Sequence, residues 1–221
     1  KHYRARNPSN LTLTFPPLVL GCSGRGLAYT RRNMWKQKRI LCLQGHGGRD
    51  VGAIHPDGKT TELSVTSKAT ALLAMCLKMY GYEAVLSRAG VLAKNEKMSL
   101  QERVDWANNI GGDILVEVHS NACKSHSAEG SEVFYYRNGK PLAEMIAPAI
   151  AILPKRDRGA KRNEHLKVIR EVSMPAVLLE LGFVDDNDND DFDDRQWLLK
   201  RWPEQIGRAA ATIHKYLEAL K

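Results

Sequence analysis

Residues 40–49 read ILCLQGHGGR: an apolar run stops at Gln44, and a single histidine, His46, stands between Gly45 and the pair Gly47-Gly48. A short apolar run closed by glycines is the signature of a buried strand entering a tight turn. Glycine on both sides also leaves the imidazole uncrowded, which is a poor way to fill a core. One histidine after a strand is more often a hydrogen-bonded loop residue than a ligand, so any functional reading of His46 needs partners elsewhere in the chain.

Working outward, the segments after this run alternate between strand-like and helix-like patterns, as an α/β layer architecture requires. RILCL (39–43) is expected to be a short buried strand. Residues 62–80 carry Ala69, Leu72, Leu73, Cys76, Leu77 and Tyr80 on one helical face and end at Gly81. EAVLSR (83–88) follows as a strand, and SLQERVDWANN (99–109) places Ser99 and Glu102 at capping-box spacing. Further strands are expected at DILVEV (113–118), SEVFYY (131–136), near 166–170 and at AVLLEL (176–181), with a helix over PLAEMIAPAIAIL (141–153). A closing amphipathic helix is expected from about Glu204 to Leu220. The fold class is therefore α/β, a single domain with a mixed, mostly parallel β-sheet flanked by α-helices.

Composition agrees with one globular domain. At 221 residues, 43% hydrophobic and 26% charged, the chain has material for one sizeable core, and no apolar stretch approaches the length of a bilayer span. The four cysteines are widely spaced, and none forms a C-x-x-C pair, so neither a zinc ribbon nor a disulfide framework is indicated. The net charge of +8 resides mainly in residues 1–33, which hold six basic and no acidic residues. The remaining 27 basic and 25 acidic residues nearly balance, which removes the case for a nucleic-acid-binding surface on the core. Residues 1–37 are read as a leader or non-core segment, and 38–221 as the functional domain. Three readings of the leader compete: a mobile extension, upstream sequence before a start at Met34, and a lipoprotein-type signal with VLGC as its cleavage box. The seven aspartates within DDNDNDDFDD (185–194) invite a calcium reading, but the sixth position from Asp186 is Asp191 where an EF-hand needs glycine, and the twelfth is Trp197. An acidic loop near a helix start is expected instead.

Three of the apolar strands end near residues with binding chemistry: His46 after the first, His119 at the end of ILVEVHSN, and Glu180 at the end of PAVLLELGF. Functional groups in open α/β sheets gather at the carboxyl ends of strands. Glu62 begins the long helix after the loop GAIHPDGKTTE. Two imidazoles and a carboxylate suit zinc and leave a fourth position open. Taken singly, each has an ordinary alternative: His119 as a satisfied strand-end histidine, Glu62 as a carboxylate favoured by a helix N-terminus, Glu180 as a strand carboxylate with an Arg partner. No short zinc motif such as H-E-x-x-H is present, so the residues alone leave both readings open.

GHGGRDVGA, Glu62 ahead of a helix, SLQERVDWAN, DILVEVHSNA, EGSEVFYY, RGAK and MPAVLLELGFVDDNDND occur in the order found in zinc-dependent N-acetylmuramoyl-L-alanine amidases, the family of autolysins and many phage endolysins. The resemblance covers roughly residues 38 to 217. It implies Zn2+ held by His46, Glu62 and His119, Glu180 as the catalytic carboxylate, and peptidoglycan as substrate, cleaved at the amide between the lactyl group of N-acetylmuramic acid and L-alanine. It also implies action at the bacterial cell wall, whether extracellular, periplasmic or, for a phage lysin, after release from the host cytoplasm; a compact monomeric lysin is expected. Asn121 and Arg103 are weaker candidates for orienting substrate or supporting the site, and Glu117 shares a strand face with His119 but is expected to be structural. His55, His126 and His165 are expected to be solvated. Many relatives carry Asp where this chain has Leu43, which removes one expected support for the ligand histidine. The alternatives are a zinc-retaining cell-wall-binding or regulatory module, against which Glu180 argues, and a zinc carboxypeptidase or deacetylase, whose H-x-x-E start is absent.

Overall fold

The computed structural model describes residues 37–87, 98–152, 157–186 and 194–220. All belong to one compact unit, Lys36–Lys221. The leader expectation and residues 187–193 of the acidic segment lie outside the described residues. Six strands form one sheet: β1 (Arg39–Gln44), β2 (Glu83–Leu86), β3 (Ile114–Asn121), β4 (Ser131–Tyr135), β5 (Asp157–Arg162) and β6 (Ala176–Phe183), in the order β2-β1-β3-β6-β4-β5. Every neighbouring pair is parallel except β4 with β6. The expected mixed, mostly parallel sheet is therefore present.

The near-continuous apolar character of β1, β3 and β6 follows from burial on both faces. Alternate residues serve different cores: Ile40 and Cys42 join the cluster built with α1 (Glu62–Met79), α3 (Lys140–Ile150) and α5 (Asp194–Glu218), whereas Leu41 and Leu43 join the smaller cluster with α2 (Leu100–Ile110) and α4 (Lys167–Glu171). Burial of Cys42 pushes its thiol up to about 12, so it packs as a small hydrophobe. The capping box at Ser99 and Glu102 forms as its spacing requires, with Ser99 N–H donating to Glu102 at 2.7 Å. A second box, Thr61 with Ser64, fixes the start of α1 and with it Glu62.

Two expectations require correction. The strand expected near 166–170 is the short helix α4, and the strand belongs instead to DRGAKR at the sheet edge. Leu166 and Val168, alternating with His165 and Lys167, mimic a strand, but a run this short fits either period. An edge strand, half solvated, lacks the apolar run that would reveal it. The last helix starts at Asp194, ten residues before the expected Glu204, and continues through Pro203. Full burial of Leu198 and the bond from Asp194 N–H to Asp186 Oδ2 at 2.6 Å anchor that first part, against a proline cost of about 3 kcal/mol. Asp194 thus confirms a helix start at the end of the acidic segment. Among the described residues no helix is long and apolar enough to cross a membrane.

Candidate metal centre

β1 ends by delivering His46 through Gly45, at the carboxyl end of the parallel strands. A side chain at Gly45 would place Cβ 2.5 Å from the His119 ring, so only glycine lets β1 and β3 bring the two imidazoles together. The connection to α1 makes the same demand at Gly52. Its φ is +68°, and a Cβ there would lie 2.5 Å from Glu62 Oε2. The capped N-terminus of α1 then holds Glu62 between the two rings.

His46 Nε2 lies 3.0 Å from Glu62 Oε2, and His119 Nδ1 lies 2.8 Å from Glu62 Oε1. The rings stand edge to face, with centroids 5.1 Å apart. One donor atom from each of His46, Glu62 and His119 lies within 4.8 Å of the others, and this is the one group of three or more potential ligands that close among the described residues. Glu62 also accepts from the amides of Ala53 (3.2 Å) and Ser120 (3.1 Å), which fixes both carboxylate oxygens.

The outer nitrogens of both rings are held by carboxylates. His46 Nδ1 is 3.0 Å from Asp50 Oδ1, which also accepts the Gly52 amide at 3.2 Å. His119 Nε2 is 3.3 Å from Glu117 Oε1, itself 2.9 Å from the Arg103 guanidinium. This arrangement leaves Nε2 of His46 and Nδ1 of His119 facing Glu62. It also answers the question raised by Leu43: that side chain is buried in the smaller core beside Glu117, and Asp50 supplies the carboxylate for His46 from the other side. Carboxylate-supported imidazoles with a third oxygen donor fit zinc chemistry.

Burial and close charge pairing act against each other in these groups. Burial alone would raise the Glu62 pKa, but hydrogen bonds from His119 and His46 hold its carboxyl well below the ordinary range. Burial disfavours a charged His119, yet its bonds to Glu117 and Glu62 push its pKa up to about 10. Glu117 is likewise held low against burial by His119 and Arg103.

Glu180 differs from all of these. It is the register partner of His119 on β6, and its Oε2 is buried with no hydrogen-bond partner among the described residues. Burial raises its pKa to about 8, against the pull of His119 and with help from the negative charges of Glu62, Glu132 and Glu117. A desolvated carboxyl that titrates near neutrality beside a trio of metal-binding side chains can both take and give a proton.

The weaker candidates separate. Glu117 is both structural and in contact with His119. Arg103 is 4% exposed and paired with Glu117, so it supports the site from behind. Asn121 is held at both ends, donating to Glu132 Oε1 at 2.6 Å and accepting from the Ala122 amide at 2.9 Å. The expectation of a solvated His55 is wrong: it is 4% exposed, with Nε2 3.1 Å from the Asp186 carbonyl and Nδ1 taking the Asp57 amide at 3.1 Å. Asp50, Glu132, Arg158 and Lys161 were not singled out from sequence. Asp50 sits four residues after His46, a spacing that hinted at its contact.

A sequence model of the family described as N-acetylmuramoyl-L-alanine amidase matches residues 40–211. The chain is 31% identical over 158 residues to the probable cell wall amidase LytH of Staphylococcus saprophyticus, covering 71% of this chain and 51% of that one. It is 37% identical over 151 residues to the N-acetylmuramoyl-L-alanine amidase LytC of Bacillus subtilis, covering 66% and 29%. Among solved structures, the N-acetylmuramoyl-L-alanine amidase AmiC2 of Nostoc punctiforme superposes with a TM-score of 0.71 at 29% identity, covering 82% of this chain and 97% of that chain. The chain spans about half or less of the length of these two curated relatives.

Proposed function

The chain belongs to the N-acetylmuramoyl-L-alanine amidase family, and from that premise and the geometry of its site we propose that it is a zinc-dependent hydrolase cleaving the amide between the lactyl group of N-acetylmuramic acid and L-alanine in peptidoglycan. The observation that carries this reading is the desolvated Glu180 carboxyl, its Oε2 without a hydrogen-bond partner among the described residues, in register with His119 beside the His46–Glu62–His119 trio. His46, Glu62 and His119 would hold the zinc ion, a three-ligand set of the catalytic kind. Bound zinc supplies a Lewis acid that polarises an amide carbonyl and acidifies water near it.

The chain's own residues do the rest. Glu180 takes a proton from the attacking water at Oε2 as the water oxygen bonds to the lactyl carbonyl carbon. It returns that proton to the alanine nitrogen as the C–N bond breaks, so the leaving group departs as a neutral amine and not as an amide anion. Burial in an apolar strand, which raises the pKa of this carboxyl, suits a group that first takes a proton and then gives it back. Asp50, Glu117 and Arg103 keep the imidazoles in the required tautomers and orientation. Residues 38–221 act in this reading as the catalytic domain, at the cell wall.

The test is digestion of purified peptidoglycan followed by mass spectrometry. Stem peptides with a free L-alanine amino group should appear, vanish after chelation and return with added zinc. Release of sugars alone, or of peptides cut elsewhere, would contradict the proposal.

A further inference from the structure

We propose that Lys161 and Arg158, held by the buried carboxylate of Glu132, form a recognition site for a free carboxylate on the residue following the scissile L-alanine; this rests on the amidase reading above. Glu132 on β4 is the register partner of Glu180, as Glu180 is of His119. Residues directly opposite one another in neighbouring strands project to the same face, so His119, Glu180 and Glu132 make a row across three strands.

Glu132 is 3% exposed, yet it does not serve Glu180 as a hydrogen-bond partner. Its Oε1 takes the Asn121 amide, and its Oε2 contacts Lys161 Nζ and stands 3.3 Å from Arg158 Nε. Two cations therefore share one carboxylate, which leaves a surplus positive charge one strand from a site otherwise rich in Glu62, Glu117 and Glu180. Here the carboxylate is buried while the Lys161 and Arg158 side chains keep 42% and 27% of their exposure. Arg158 is further fixed, its guanidinium 5.1 Å from the Phe183 ring centre and its Nη1 donating to the Glu129 carbonyl at 3.4 Å. Glu132 thus acts as an anchor that aims two cationic heads along the sheet.

The spacing suits a peptide leaving the scissile bond. Neighbouring strands lie roughly 4.8 Å apart, and because Lys161 reaches back onto Glu132, its ammonium stands about one such spacing from the strand of Glu180. An extended peptide advances roughly 3.3–3.6 Å per residue, so a group one to two residues beyond the scissile amide arrives at Lys161. In a stem peptide that residue is a glutamyl unit whose second carboxyl is a free acid in some walls and a primary amide in others. A charge-assisted contact distinguishes these two, because the amide offers the ammonium a weaker acceptor and no charge.

The experiment uses two soluble muramoyl peptides that differ only in carboxylate or carboxamide at the second residue, with the zinc-loaded 221-residue chain, Lys161→Gln and Lys161→Arg. Melting temperature is recorded to establish folding. The wild type should cleave the carboxylate form with kcat/KM roughly ten-fold higher, the usual worth of one charged hydrogen bond. Lys161→Gln should bring that ratio near one, and Lys161→Arg should retain the preference. Equal cleavage of both substrates by the wild type, or an unchanged ratio in Lys161→Gln, would overturn the assignment. Should Lys161→Gln fail to fold, the wild-type ratio and its collapse at high salt decide the matter. Cleavage of neither substrate by the wild type would refute the amidase reading itself, and the recognition site with it.

Discussion

Removing Arg103 should destabilise the protein out of proportion to its distance from any substrate. Arg103 and Glu117 are 4% and 2% exposed, and their charged atoms lie 2.9 Å apart on α2 and β3. Replacing Arg103 by Met keeps most of the buried volume but leaves the Glu117 carboxylate with His119, at 3.3 Å, as its remaining charged partner. Breaking a buried pair from one side costs about 3–5 kcal/mol. For a domain of this size each kcal/mol moves the melting temperature by about 2–4 °C, so a drop of roughly 6–20 °C is expected. The double variant Arg103→Met with Glu117→Leu removes both charges and should recover at least half of that loss, while zinc affinity stays about 10–100-fold weaker because His119 has lost its support. Calorimetry and zinc titration on the three proteins check both statements. A single variant within 1 kcal/mol of the wild type, or a double variant no better than the single, would refute the reasoning.

Asp50→Ala should weaken zinc about 10–100-fold, the usual effect of removing the group that orients a ligand histidine, with activity returning at excess zinc; unchanged affinity in a competition titration would mean Asp50 is dispensable. The chelated, metal-free protein should lose stability as pH rises from about 6 to 10. His119 has its folded pKa raised from 6.5 to about 10 and Glu180 from 4.5 to about 8, so each contributes stability that is fully present below its unfolded value and lost as pH passes its folded one; urea unfolding at pH 6 and pH 9 measures this, and a rise would contradict it. Deletion of residues 1–33 should leave cooperative unfolding and zinc-dependent cleavage intact, since every proposed site residue lies beyond it; loss of a cooperative melt in the truncated protein would show that the segment belongs to the core.

What could be read in the sequence followed from how strongly burial constrains each segment. β1, β3 and β6 are central strands packed on both faces, so ILCL, ILVEV and AVLLEL had to be apolar throughout, and they were recognisable as such. DRGAKR, with one side of the sheet edge open, is under no such constraint and carries no apolar run that marks it as a strand. The first part of α5 is harder to read, because Pro203 interrupts the helical pattern and the burial of Leu198 that overrides it exists only in the folded protein. His55 illustrates the same limit: its neighbours are polar, and only the approach of Asp186, 131 residues away, encloses it. The site shows a similar division. Each of His46, Glu62 and His119 had an ordinary reading alone, and the order of several motifs, through a family resemblance, was what joined them. The groups that support and extend the trio come from separate elements and left no local pattern: Asp50 on a turn, Glu117 with Arg103 across a strand and a helix, and Glu132 with Lys161 across two strands.

The central claim is that the trio holds the metal while Glu180 moves the proton, and metal content measured together with amide cleavage on the same purified samples separates the two roles. His46→Ala and His119→Ala should lose both zinc and activity. Glu180→Gln keeps the side-chain shape but cannot accept a proton, so it should retain stoichiometric zinc while the rate falls by roughly 10²–10⁴-fold. Zinc lost from Glu180→Gln would make this carboxylate a ligand, and full activity with zinc retained would assign the proton transfer to another group.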